Sequence, residues 1–131
     1  MGKSSHVTVG WFEIPVIDMD RAMKFYESVF NCSLSRNKMG PLDMAWFPWD
    51  HDKKGAGGSL VCNNEFYTPG HQGSLVYFSC TEINDHLSKV ENAGGKILVP
   101  KNEISPEVGF MAVFEDCEGN RIALHSGPEG S

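Results

Sequence analysis

Gly73-Ser74-Leu75-Val76-Tyr77-Phe78-Ser79-Cys80 starts a pattern that the chain has already run through once from Val7. The stretch is rich in β-branched and aromatic residues and reads as a strand. A helix follows over Glu82–Ala93. Its residues Ile83, Leu87 and Val90 share one face, and Gly94-Gly95 ends it. Lys96–Val99 is a strand closed by Pro100. Val108–Glu115 is another, Asp116–Asn120 a turn, and Arg121–His125 the last strand. Upstream the order is the same. Val7–Ile17 is a strand. Asp18 opens a helix with Met19, Ala22, Met23, Tyr26, Val29 and Phe30 at three-four spacing. Strands follow over Cys32–Lys38, Asp43–Trp49 and Gly58–Asn63. A shift of 64 residues sets Met19 on Ile83, Met23 on Leu87, Tyr26 on Val90 and Leu34 on Leu98. Few residues are identical between the halves, so the repeat rests on pattern and order.

The repeat predicts an α+β fold. Two βαβββ modules, residues 7–64 and 73–126, lie side by side as one domain over 7–126. Residues 1–6 and 127–131 are expected to be flexible ends. Each module gives a twisted four-stranded sheet with one helix behind it. The pair curls into an open eight-stranded mixed sheet with the helices on its outer face. The concave face is then free for a ligand.

Composition agrees with a packed domain: 40% of residues are apolar and 21% charged. The net charge of −6 repels phosphate backbones and argues against a nucleic-acid partner. No apolar run approaches the roughly 18–20 residues needed to cross a bilayer. Met1–Thr8 has no apolar signal core, which points to the cytoplasm. Cys32, Cys62, Cys80 and Cys117 form no CxxC pair and fit no zinc spacing. They read as reduced, mostly buried thiols.

Two stretches carry a resemblance. One is Val9-Gly10-Trp11-Phe12-Glu13-Ile14-Pro15-Val16 with Asp18, Phe25-Tyr26 and Phe30. The other is Phe114-Glu115-Asp116-Cys117-Glu118-Gly119-Asn120-Arg121-Ile122-Ala123-Leu124. Together they resemble the vicinal-oxygen-chelate superfamily of glyoxalases, bleomycin-resistance proteins and extradiol dioxygenases. Phe47–Trp49 and Gly55–Gly58 look like a bacterial branch often named "glyoxalase family protein". The resemblance spans Val7–Ser126 and implies a divalent metal in the cleft, held by His, Glu or Gln from the first and last strand of each module. Carried over, those positions fall on Trp11, Ser59, Leu75 and Ala123. Indole, methyl and butyl groups cannot ligate, and a serine hydroxyl is a poor ligand. The expected cofactor is therefore none. The family also implies a homodimer.

Side chains two apart share a strand face. The concave face should carry Trp11, Glu13, Ser59, Val61, Leu75, Tyr77, Ser79, Ala123 and His125, with Met44, Trp46, Met111 and Val113 from the third strands. This lining suits a small, partly aromatic or carbonyl-containing molecule. Glu13, Tyr77 and His125 are the candidate catalytic groups. A carboxylate in an aromatic pocket can serve as a general base. The competing expectation is that Glu13 only satisfies its charge on His125 or a backbone group. His6, His51, His71, His86 and His125 form no ligand pair, and His86 is expected to face solvent. Asp50–Gly57, Asn64–Gln72 and Lys101–Glu107 are long loops that could close over a ligand, with Phe66 and Tyr67 in the second. Three readings remain: a metal-free binding protein, a lyase, isomerase or dioxygenase using a metal or Glu13 as base, and a structural role without a ligand.

Overall fold

The structure is a computed structural model that describes residues 3–63 and 65–128. Expectations for residues 1–2, 64 and 129–131 lie outside the described residues. Module 1 runs β1 (Trp11–Pro15), α1 (Met19–Phe30), β2 (Ser35–Met39), β3 (Leu42–Trp46) and β4 (Gly57–Cys62). Module 2 runs β5 (Val76–Ser79), α2 (Ile83–Leu87), β6 (Lys96–Ser105), β7 (Gly109–Glu115) and β8 (Arg121–Ser126). The two four-stranded sheets have the same order, β1-β4-β3-β2 and β5-β8-β7-β6. The first and last strand of each module pair in parallel, and the other contacts are antiparallel. The two halves hold one register. Glu13 pairs with Ser59, and Tyr77 pairs with Ala123, 64 residues on in both strands.

Helix α1 forms because Asp18 caps it and its apolar residues fall on one face. The Asp18 carboxylate accepts from the Arg21 N–H at 3.1 Å. Met19, Ala22, Phe25, Tyr26 and Val29 are buried. The helix ends on Asn31, which adopts a left-handed conformation at φ 51°. Its buried face reaches both sheets. Phe25 packs on Phe114 of β7, and Phe30 packs on Phe78 of β5. Phe12 of β1 meets Phe78 edge to face. One hydrophobic core therefore serves both modules.

Buried polar groups fasten the same seam. Tyr26 donates to Asp116 in the β7–β8 turn at 2.6 Å. Asp116 also accepts from the N–H groups of Glu118 and Asn120 and from the Asn120 side chain. Glu118 has no exposed side-chain surface and receives the N–H groups of Ile17 and Asp18 together with the Arg21 guanidinium. A carboxylate thus caps the entry to α1 from 100 residues away. Asn120 donates to the Pro15 carbonyl at 2.7 Å.

Several expectations are corrected. Strand β1 begins at Trp11 rather than Val7, because its partner β4 begins at Gly57, opposite Trp11. Strand β3 stops at Trp46, and Pro48, which lacks an N–H, follows. Helix α2 is five residues long. Beyond it, Lys89 and Val90 bond three residues back, so the helix tightens into turns up to Gly95 while Val90 stays buried. Pro100 does not end its strand. It sits on edge strand β6, where the register shifts between Val99 and Asn102, so no ladder bond is missed. Most of the expected loop at Lys101–Glu107 is therefore strand. His86 is half-buried, bonds the Val29 carbonyl at 3.1 Å and packs on Phe30. The cysteines are free and half-buried. Burial raises all four thiols, Cys117 to about 12.

Candidate functional site

Alternation along the strands separates two faces. Ile14, Ala45, Leu60, Ile122 and Leu124 enter the shared core beside the helices. The opposite, helix-free face carries two equivalent rows. In module 1 the row is Glu13, Ser59 and Trp46. In module 2 it is Tyr77, Ala123 and Val113. Between β1 and β5 lies a cavity of about 990 Å³, lined among others by Val9, Trp11, Glu13, Leu75, Tyr77 and Ser79. Glu13 and Tyr77 thus face one cavity from different modules, and both are exposed.

Trp11 stands edge-on to Trp46 at 5.4 Å and to Trp49 at 6.5 Å between ring centroids. Gly57 makes room for this group. A Cβ there would lie 2.9 Å from the Trp49 ring and 3.0 Å from that of Trp11. The neighbouring Ser59 is fully buried, and its hydroxyl has no hydrogen-bond partner.

The connector between the modules folds back onto the site. The Tyr67 hydroxyl donates to Glu13 Oε1 at 2.7 Å. That bond and the carboxylate's charge hold the Tyr67 phenol above its ordinary value. His71 Nε2 meets Glu115 of β7 at 2.6 Å, and the Gly70 N–H donates to Asn120 Oδ1 at 3.1 Å. Phe66 is exposed.

Glu13, Tyr77 and His125 do not form one hydrogen-bonded group. Glu13 engages Tyr67, while His125 Nε2 meets the Val108 carbonyl at 2.9 Å. The expected Glu13–His125 pair is absent. Glu13 is exposed, so the aromatic side chains do not enclose it.

Arg121 was missed in the sequence reading. It stands on β8 two residues before Ala123, on the same face, and strict alternation would have found it. Its Nε is buried and has no hydrogen-bond partner among the described residues. A second cavity, of about 180 Å³, is lined by Arg121, Glu13, Thr68, Gln72, Ser74 and Val76 among others.

Residues 6–124 match the sequence model of the Glyoxalase/Bleomycin resistance protein/Dioxygenase superfamily. The chain belongs to that superfamily. It is 26% identical over 126 residues to a glyoxylase-like domain-containing protein of Didymella fabae, covering 94% of this chain and 96% of the relative. Among solved structures it resembles TnmS3, an antibiotic binding protein from Streptomyces sp. CB03234. That match has 25% identity, a TM-score of 0.64, and coverage of 95% and 99% of the two chains. It also resembles a glyoxalase I mutant from Zea mays, with 20% identity and a TM-score of 0.66 over 89% of this chain. The chain spans 45% of the length of that maize enzyme.

The superfamily's metal needs oxygen and nitrogen donors converging on the helix-free face. The positions carried over from the family hold Trp11, Ser59, Leu75 and Ala123. Among the described residues no group of three or more His, Cys, Asp or Glu side chains converges. Glu13 is tied to Tyr67 and His125 to a backbone carbonyl. This donor set does not fit a family-type metal.

Proposed function

We propose that this superfamily member binds a small, partly aromatic or carbonyl-containing molecule in the seam between its modules, without a family-type metal. The observation that carries the reading is the 990 Å³ cavity, lined by Trp11 and Glu13 from one module and Tyr77 from the other. Aromatic walls with one carboxylate suit stacking and a single directed hydrogen bond. The likeness to an antibiotic binding protein supports the same class of ligand. The working form in this reading is a cytoplasmic homodimer. Supporting the dimer are the exposed Trp11, Trp46 and Trp49 and the outer edge strands β2 and β6.

A second reading, a lyase or isomerase with Glu13 as base, draws on one observation. Glu13 lines both cavities at the seam and already shares a hydrogen bond with a phenol.

The test is elemental analysis of untagged protein after exposure to nickel, zinc, manganese and iron(II), with calorimetric titration of an indole probe. Substoichiometric metal is expected throughout. Trp11→Ala should abolish probe binding while the chain still unfolds in one cooperative transition, at a lower midpoint because the contacts with Trp46 and Trp49 are lost. About one tightly held metal per chain would overturn the metal-free reading.

A further inference from the structure

We infer that Arg121 forms a subsite for the carboxylate of the bound molecule, so that the ligand is an aromatic or apolar carboxylate. The inference rests on the seam cavity being the ligand site. Its starting point is a guanidinium that lines a cavity and has a buried, unpaired Nε. Arg121 Nε is buried without a hydrogen-bond partner, and no ion pair involves this guanidinium among the described residues. A buried donor without an acceptor is costly, and more so on a charged group.

Two carboxylates lie near it in the fold, and each has one oxygen bonded to a residue of the connector. Glu115 is the register partner of Arg121 across β7 and β8, but it takes His71. Glu13 lines the same 180 Å³ cavity, but it takes Tyr67. Both of those partners come from the connector, and neither carboxylate is bonded to the guanidinium among the described residues of a chain whose net charge is −6.

The cavity that Arg121 lines also holds neutral polar side chains. Thr68 and Ser74 bring hydroxyls, and Gln72 brings an amide. A carboxylate can take the planar fork of an arginine with two parallel hydrogen bonds to its outer nitrogens. A phosphate would set a second negative charge against Glu13. Glu13, Ser74 and Val76 also line the larger cavity, so a molecule anchored at Arg121 extends toward Tyr77 and Trp11.

Three probes separate the parts of this idea on the full chain. Acetate reports on Arg121 alone. Indole-3-acetamide reports on the aromatic seam alone. Indole-3-acetate reports on both. The ¹⁵N–¹H signal of Arg121 Nε should shift saturably with millimolar acetate and stay put with inorganic phosphate at matched ionic strength. By calorimetry, indole-3-acetate should bind about tenfold more tightly than its amide, and Arg121→Gln should close that gap. No acetate shift, a larger shift with phosphate, or a gap that survives Arg121→Gln would overturn the subsite. Amide binding without an acetate response would leave the seam reading standing alone. An acetate response with neither indole compound bound would overturn the aromatic carboxylate as ligand and leave an anion site alone. If Arg121→Gln fails to fold, the acetate titration of the unaltered chain still decides.

Discussion

Modules 1 and 2 share a backbone plan and differ in nearly everything they display. Their first and last strands keep the same register 64 residues apart. Module 1 fills its helix-free face with Trp11, Trp46 and Trp49, whereas module 2 shows Tyr77, Ala123, His125 and Arg121. The inner face differs too. Phe12 and Gly58 pair in module 1 where Val76 and Ile122 pair in module 2. A large ring against no side chain occupies the place of two medium ones, so volume is kept while shape changes. The lesson is that register and volume fix the repeat, and the exposed face is then free to become asymmetric. A site between unlike halves has an aromatic end and a charged end.

The largest expected effect tests whether the halves depend on each other. Glu118 of module 2 holds the start of the helix of module 1. Glu118→Ala leaves two N–H groups without their acceptor and should cost about 3 kcal/mol in urea unfolding. It should lower the midpoint as one cooperative transition. A separate early transition assigned to module 1 would break the claim of one core.

The next effect sharpens the volume argument. A Cβ on Gly58 would fall 2.3 Å from the Phe12 ring, which is held by Phe47 and Phe78. Gly58→Ala should cost about 2 kcal/mol. Adding Phe12→Val, which brings module 1 nearer to the module 2 pair, should recover part of that loss. A double-mutant cycle with no coupling would refute the exchange of volumes.

The smallest effect concerns equivalent surface ties. Arg36 joins Asp20 of α1 to Asp43 of β3, and Lys101 joins the cap of α2 at Glu82. Hydrogen bonds from these cations hold Asp43 and Glu82 below the usual carboxylate range. A depressed carboxylate lends stability above its unfolded value and loses it as pH falls through its folded value. Asp43→Asn should therefore cost less than about 1 kcal/mol near neutrality. The difference from the unaltered chain should fade below the ordinary aspartate range. A constant offset down to low pH would sink that account.

Local chemistry explains what could be read in advance. Asp18 announced a helix start, and the alternation around Ile14 and Leu124 announced strands, because those signals lie within a few residues. Pro100 misled because an edge strand tolerates a missing donor, and edge position is a property of the sheet. The extent of α2 misled because Ile83, Leu87 and Val90 keep helical spacing even where the backbone tightens into turns. The helix-free face was legible residue by residue for Trp11, Glu13, Tyr77 and Ala123. Their partners were not legible, because Tyr67 and His71 arrive from a connector whose path no periodicity encodes. Arg121 is the first residue of β8, beside the Asp116–Asn120 turn, so its face depends on where the strand begins.

The seam also sets a timetable. Its polar fastenings join residues 90 and 97 positions apart, Tyr26 with Asp116 and Arg21 with Glu118. The first helix therefore cannot complete its surroundings until nearly the whole chain has been synthesised and its ends have met. Closing so long a loop comes before any reward from the contacts it makes. Such non-local pairing places folding nearer roughly milliseconds to seconds than microseconds. A nascent chain carrying only the first module would leave Phe12, Phe25 and Phe30 without their later partners, a surface that chaperones recognise.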